Sequence, residues 1–422
     1  MTRGDSTAAA TLERAWRDER TKVVATLTRR LGDLQLAEDA VQEAFATAAV
    51  RWQVDGVPDR PGAWLTTTAW RKALDVIRRE RFPLAGQTPE PAHGEAVMDE
   101  PEGDLAVEDD VLTLILTCCH PALAPEARVA LTLRHVAGLT SREIAAGFLV
   151  QDATMDKRLV RARAKIRDAR IAFTLPDRAE LLGRLEAVHA VIYLIFTEGY
   201  LATGEQAPVR AELCDEAEWL ARQLHHLVPH HAETTGLLAL LLLQNARTAA
   251  RQDAHGELIP YDEQDRGRWD TTSIDSAKQL LGDTGAEPPG PYQVQAAIAL
   301  LHATAGSADT VNWPRIADLY AILARLTPSD VIELNRAVAL GRADGPNAGL
   351  AVLAPVLAAG RLERYPPLHA AHADLLQRAG RSAEARTAWE HAAALAPNQA
   401  QRTQLLRRAS AAAAPPTPPP GP

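Results

Sequence analysis

At 422 residues the chain exceeds what one hydrophobic core normally serves, so two to four separately cored units are expected. It is rich in Ala, Leu and Arg, aromatics are 5 % of it and β-branched runs are few, which favours an all-helical protein over a sheet. A formal net charge of -9 rules out even attraction to nucleic acid, so a DNA-binding surface has to be local.

The charge is uneven. Residues 83–110 hold nine acids and no Lys or Arg, whereas 152–170 hold seven bases and three acids. Apolar residues recur at helical spacing over about 10–31, 34–51 and 60–82, the last opening near Pro61, so residues 1–82 read as one helical module. Residues 83–108 combine four prolines and three glycines with the acids and read as a flexible linker. A second helical module is expected over 109–173, a long helical extension over 174–411 and a disordered Ala/Pro-rich tail over 412–422. Three cysteines and a polar amino terminus disfavour secretion and a disulfide framework, so the expected location is the cytoplasm. The longest strongly apolar run, Thr235 to Asn245, falls far short of the roughly 20 residues that span a bilayer and reads as a buried core helix; no membrane partner is expected.

The extension carries a period. Leu227-Val228-Pro229, Leu326-Thr327-Pro328 and Leu395-Ala396-Pro397 are 99 and 69 residues apart, near three and two times the ~34-residue tetratricopeptide period. The last copy is the clearest, with Gly380, Ala383, Ala385, Trp389 and Ala392 ahead of Leu395, Pro397 and Asn398. A plain helical bundle with prolines at its turns is the alternative.

Between these regions lies a helix-turn-helix pattern. Thr140 and Glu143 are spaced as a capping box that opens a short helix; a turn follows Phe148 and a second helix opens near Asp152. On that helix Met155, Leu159, Ala162 and Ile166 form an apolar seam. Thr154, Lys157, Arg158, Arg161 and Lys165 share an adjoining face that fits a major groove, where Arg and Lys pair with guanine edges or neutralise phosphates. A solvated basic surface is the plainer reading of the same residues.

Residues 125–167, PEARVALTLRHVAGLTSREIAAGFLVQDATMDKRLVRARAKIR, resemble the module of extracytoplasmic-function (ECF) sigma factors that binds the minus-35 promoter element. LQLAEDAVQEAFATAAVRW (34–52) resembles the helix of that family that docks on core RNA polymerase, with Asp39, Gln42 and Glu43 in the docking positions and Ala40, Val41, Ala44 and Phe45 as packing. RPGAWLTTTAWRKALDVIRRE (60–80) resembles its minus-10 reader, which implies that Trp70, Arg71, Lys72, Arg78 and Arg79 meet promoter DNA, with Trp64 more at home in the core. Family members usually carry Arg-Asn in place of Trp70-Arg71 and Gly in place of Leu149. The remainder resembles the extension of one subgroup, through Tyr193 to Tyr200 and Ile259 to Asp270. In the second stretch Tyr261, Asp262, Glu263, Asp265, Arg266, Arg268 and Trp269 form a candidate docking surface for an intramolecular contact with the sigma modules, a structural capping loop being the alternative.

Other chemistry finds little support. Cys118-Cys119-His120 lacks the spacing of a zinc site and reads as buried thiols, and His225, His226, His230 and His231 read as polar surface, so no metal is expected. There is no phosphate-cradling glycine loop and no nucleophile elbow; neither enzymatic activity nor a cofactor is expected. The resemblance implies an alternative sigma factor: two helical modules, the second with the helix-turn-helix, joined by a flexible linker and followed by a tetratricopeptide-like extension that regulates them in cis. A helix-turn-helix activator coupled to a helical-repeat sensor, with no core-polymerase role, is the alternative; a repeat scaffold is a third.

Overall fold

A computed structural model of the chain describes residues 3–81, 104–148, 150–200, 210–253, 258–282, 288–396 and 398–412. Among the described residues there are α-helices, short 3-10 turns and one isolated bridge between Gln252 and Leu258, but no strand. Most of the expected linker, Leu149, Pro397 and residues 413–422 of the expected tail lie outside the described residues. The chain divides into two compact units between Ile195 and Phe196.

The first unit opens with α1 (Arg3–Leu31), α2 (Leu34–Asp55) and α3 (Pro61–Arg81). Gly32, at φ +68°, ends α1, and Asp33 caps α2 by accepting from the Gln35 and Leu36 amides at 2.8 and 3.0 Å, so a two-residue joint turns the chain. Val24, Leu27, Val41, Phe45, Trp52 and Leu65 are buried among these helices, and Trp64 meets Trp52 edge to face at 5.6 Å, in keeping with a packing role. Then come α4 (Asp104–Cys118), α5 (Pro125–His135), α6 (Ser141–Gly147) and α7 (Asp152–Asp168). The helix α4 opens at Asp104, inside the stretch read as linker, and packs along α1, so the two modules expected to be separate share one compact unit. That unit also runs past residue 173. The next helix, α8 (Arg178–Tyr200), buries Leu185 and Val188, and its Arg184 donates to the Leu116 carbonyl at 3.3 Å.

The second unit continues with α9 (Ala211–Leu227), α10 (Ala232–Asn245), α11 (Thr271–Gly282), α12 (Pro291–Thr304), α13 (Trp313–Leu326), α14 (Asp330–Ala343), α15 (Pro346–Ala359), α16 (Pro366–Arg378), α17 (Ser382–Ala394) and α18 (Gln399–Ala412). The apolar run read as a core helix is α10, with every residue from Leu237 to Leu243 buried. It can lie close to α12 because Gly236 has no side chain where the Gln293 backbone passes, and Glu233 reaches across to accept from the Tyr292 and Gln293 amides at 2.9 and 3.2 Å. From α13 onward each helix packs on the next; α13, α15 and α17 begin at residues 313, 346 and 382, spacings of 33 and 36. Leu227, Leu326 and Leu395, the first residues of the three Leu-x-Pro motifs, lie at the carboxy-terminal ends of α9, α13 and α17, and Ala385, Trp389 and Ala392 are buried.

Candidate nucleic-acid and polymerase interface

The helix α2 is two-faced. Ala40, Val41, Ala44 and Phe45 are buried, while Asp39, Gln42 and Glu43 are exposed together, as the i, i+3, i+4 spacing predicts. They line a shallow groove that continues along α2 past Ala46 to Val50 and is closed at its side by Lys72 of α3. Lys72 Nζ lies 3.3 Å from Glu43 Oε2, so this base, grouped by sequence with the minus-10 set, pairs with the exposed row of α2. Of the rest of that set, Arg71, Arg78 and Arg79 are exposed; Arg78 lies 3.9 Å from Asp75, and Trp70 is half-buried beneath the Arg30 guanidinium at 5.9 Å.

The helix-turn-helix is built as its sequence suggests. Glu143 Oε2 accepts from the Thr140 amide at 2.7 Å while Thr140 Oγ1 accepts from the Glu143 amide at 3.2 Å, a reciprocal cap on α6. Met155, Leu159, Ala162 and Ile166 anchor α7 in the unit. Thr154, Lys157, Arg161 and Lys165 are exposed and Arg158 is half-buried, and among the described residues none of these bases has a carboxylate within ion-pair distance. Arg161 Nε donates to the Lys157 carbonyl at 3.2 Å, which props the guanidinium outward and leaves its two terminal nitrogens for a partner. Such a row of uncommitted cations is what phosphate and guanine-edge contacts need.

Sequence reasoning passed over Glu38, the neighbour of Asp39. It is 2 % exposed, and its carboxylate gathers Arg134 of α5 at 3.0 Å, Arg163 of α7 at 3.3 Å and Arg20 of α1 at 3.6 Å. The His135 ring lies 3.3 Å away without hydrogen-bond geometry; burial, then the surrounding Arg20, Arg163 and Arg134 charges, hold its pKa well below the ordinary histidine value, so it stands there neutral. Burial likewise lowers Arg20 to about 10, Glu38 opposing the shift. Arg20 also donates to the Arg134 and His135 carbonyls, both at 3.3 Å.

In the second unit the two stretches singled out by sequence converge. Arg251 donates to the Tyr200 carbonyl at 2.6 Å and stacks on the Tyr200 ring; Arg247 bonds the Tyr200 hydroxyl and faces Tyr261 and Trp269; Arg266 donates to the His302 and Ala305 carbonyls at 3.0 and 2.9 Å. The Trp269 side chain is buried, and the Asp270 amide donates to the Ala246 carbonyl at 2.9 Å. Thus Tyr261, Arg266 and Trp269 hold the 259–270 loop onto the ends of α10 and α12, the capping role given above as the alternative. Asp262, Glu263, Asp265 and Arg268 are exposed. Cys118 and Cys119 are buried, and burial pushes the Cys119 thiol up to about 12, which makes it a poor nucleophile and a poor ligand. His225, His226, His230 and His231 belong to no metal-binding group among the described residues, and no described helix is long and apolar enough to cross a membrane.

Comparison with known proteins bears on these faces. Sigma-70 region 2 matches residues 15–82, sigma-70 region 4 matches 113–166, and DUF6596, a family of unknown function, matches 184–284. An uncharacterized protein of Rhizobium meliloti is 41 % identical over 390 residues, 90 % of this chain and 91 % of its own length. The probable ECF RNA polymerase sigma factor SigI of Mycobacterium tuberculosis is 35 % identical over 164 residues, 37 % of this chain and 55 % of its own. The probable RNA polymerase sigma factor RfaY of Xanthomonas campestris pv. campestris is 32 % identical over 155 residues, 35 % of this chain and 36 % of its own. No solved structure matches the chain.

Proposed function

We propose that this chain, which belongs to one family with the Rhizobium meliloti protein along nearly its whole length and carries sigma-70 regions 2 and 4, is an alternative sigma factor of the ECF type. In this reading it binds core RNA polymerase through α2, meets the minus-10 element with α3 and the minus-35 element with α7, and starts transcription there. The observation that carries it is the exposed Asp39, Gln42 and Glu43 row on a helix whose other side is packed, in the same unit as an uncommitted basic recognition helix. An activator that only binds DNA has no use for the acidic row. Replacing Asp39 and Glu43 by Lys leaves the buried side of α2 untouched, so the chain is expected to fold normally yet lose core polymerase in a pull-down. Wild-type recovery of polymerase with the double variant refutes the assigned face.

The same reading makes the carboxy-terminal unit a control element acting in cis, built from helix pairs of tetratricopeptide type. Residues 174–422 hold 21 bases and 28 acids, a net of -7, which suits a protein partner and not DNA. Within the 259–270 loop, Glu263 and Arg268 are the outward residues offered to it, while Asp262 pairs with Arg342 at 3.4 Å and Asp265 accepts from the Gly267 amide.

A further inference from the structure

We infer that the second unit carries a receptor site for a small oxyanion, a phosphate or carboxylate group held by the guanidiniums of Arg247 and Arg251 beside the Tyr200 ring, with Trp269 and His302 as neutral donors. The inference stands on this unit alone and holds whether or not the chain starts transcription.

Residues 174–422 carry a net charge of -7, yet the joint between α10, α12 and the 259–270 loop gathers cations. The guanidinium carbons of Arg247 and Arg251 lie 5.8 and 3.4 Å from the Tyr200 ring centroid, which puts them no more than 9.2 Å apart. Arg247 and Arg266 each lie within 6 Å of the Tyr261 and Trp269 rings. Among the described residues no carboxylate is in ion-pair contact with any of the three, and Asp262 of the loop pairs instead with Arg342 at 3.4 Å. Guanidiniums this close repel one another, and burial adds to the cost. It lowers the Arg251 pKa, Tyr200 opposing the shift and the Arg247 charge adding to it. A bound anion supplies the counter-charge that the described residues do not.

Holding the loop does not use up the donors. Arg251 gives Nη1 to the Tyr200 carbonyl, and Arg247 gives Nη2 to the Tyr200 hydroxyl and to Gln244 Oε1. The Nε and Nη2 of Arg251 donate to nothing among the described residues, and those two atoms form the parallel edge that grips an oxyanion bidentately. Arg247 keeps Nε and Nη1 uncommitted in the same sense, and its half-buried side chain offers the approach from solvent. Trp269 Nε1 and His302 Nδ1 are buried with no hydrogen-bond partner among the described residues, a costly state that an acceptor oxygen relieves. Neutral His302, its pKa held down to about 4 by burial and by Arg247 and Arg266, can present Nδ1–H without adding charge. Trp269 and Arg251 are only 5 % and 6 % exposed, so a small group reaches them and a protein surface does not.

The test uses the full chain and two probes, pyrophosphate and succinate, titrated by calorimetry with ionic strength held fixed by sodium chloride. Saturable binding at a single site is expected, weakened about tenfold or more by Arg247→Gln through the loss of a charge-assisted hydrogen bond. Arg325→Gln removes an exposed guanidinium from α13 of the same unit and is expected to bind as wild type. Preference for pyrophosphate identifies a phosphate ligand and preference for succinate a carboxylate, and either upholds the site. No saturable binding of either probe, or binding that Arg247→Gln weakens no more than Arg325→Gln does, overturns it. Because Arg247 also secures Tyr200, a second measurement needs no substitution: phenylglyoxal modification of arginines in the wild-type chain, read by mass spectrometry. A saturating probe is expected to slow modification of Arg247 severalfold and to leave Arg325 as it was; equal rates at Arg247 with and without the probe refute the inference.

Discussion

Arg161→Ala on α7 separates base reading from charge neutralisation. Among the described residues the native guanidinium has no acidic partner, and its Nε is occupied by the Lys157 carbonyl, which leaves its two terminal nitrogens as a fork for a ligand. A fork of that kind matches the O6 and N7 acceptors of guanine, and one bidentate contact is worth roughly 1–3 kcal/mol, or about 5- to 150-fold in affinity. Because the side chain supports nothing in the core, the variant should keep its melting temperature. The assay is binding and run-off transcription by the complex of full chain and core polymerase, on promoters carrying each base at every minus-35 position and over a range of salt. The expected outcome is loss on the preferred promoter and little on those altered at one position, so that discrimination at that position flattens. A uniform loss on all promoters, with the salt slope reduced by roughly 0.9, shows a phosphate contact and refutes base reading by Arg161.

Two further outcomes follow from the second unit. Glu263→Lys with Arg268→Glu preserves net charge and alters only exposed side chains of the 259–270 loop, so promoter output in cells should change while thermal stability does not; unchanged output removes that loop from regulation. Gly236→Ala places a methyl 2.6 Å from the Gln293 nitrogen and forces α10 from α12, an overpacking of about 1–3 kcal/mol that should lower the melting temperature of this unit by roughly 3–10 °C in calorimetry. Gly282→Ala, which meets nothing within 4 Å, is the matched control and should melt as wild type.

How much of this was legible in the sequence differs from site to site. The faces of α2 and α7 follow from 3.6-residue periodicity, which separates buried Val41 and Phe45 from exposed Asp39 and Glu43 on local spacing alone. Glu38 carried a signal too, since it shares a helix face with Ala37, Val41 and Phe45, where a carboxylate has to find a partner. Its partners could not be read, because Arg134 and Arg163 lie about a hundred residues away and only tertiary packing brings them there. The contact of α8 with the first unit was unreadable for a related reason: nothing local says that Arg184 reaches back to the Leu116 carbonyl. The composition of the 259–270 loop left both of its readings open. Tyr, Trp and Arg together suggest a contact surface, yet the same residues stack well on one another and on helix ends.

Those helix ends have a consequence for how the extension withstands its surroundings. Arg251 and Arg266 are hydrogen-bonded by main-chain carbonyls, and Arg247 by a phenol hydroxyl and an amide oxygen, and among the described residues no carboxylate is in ion-pair contact with any of the three. These contacts need no ionisable acceptor, and contacts sheltered from solvent are poorly screened by electrolyte. The ionisable ring beside them, His302, is held down to about 4 by burial and by Arg247 and Arg266, so it stays neutral through mild acid. The joint between the loop and its helices is therefore indifferent to the acidity and ionic strength that govern promoter binding, and shifts of medium that loosen the DNA contacts leave this part of the chain as it was.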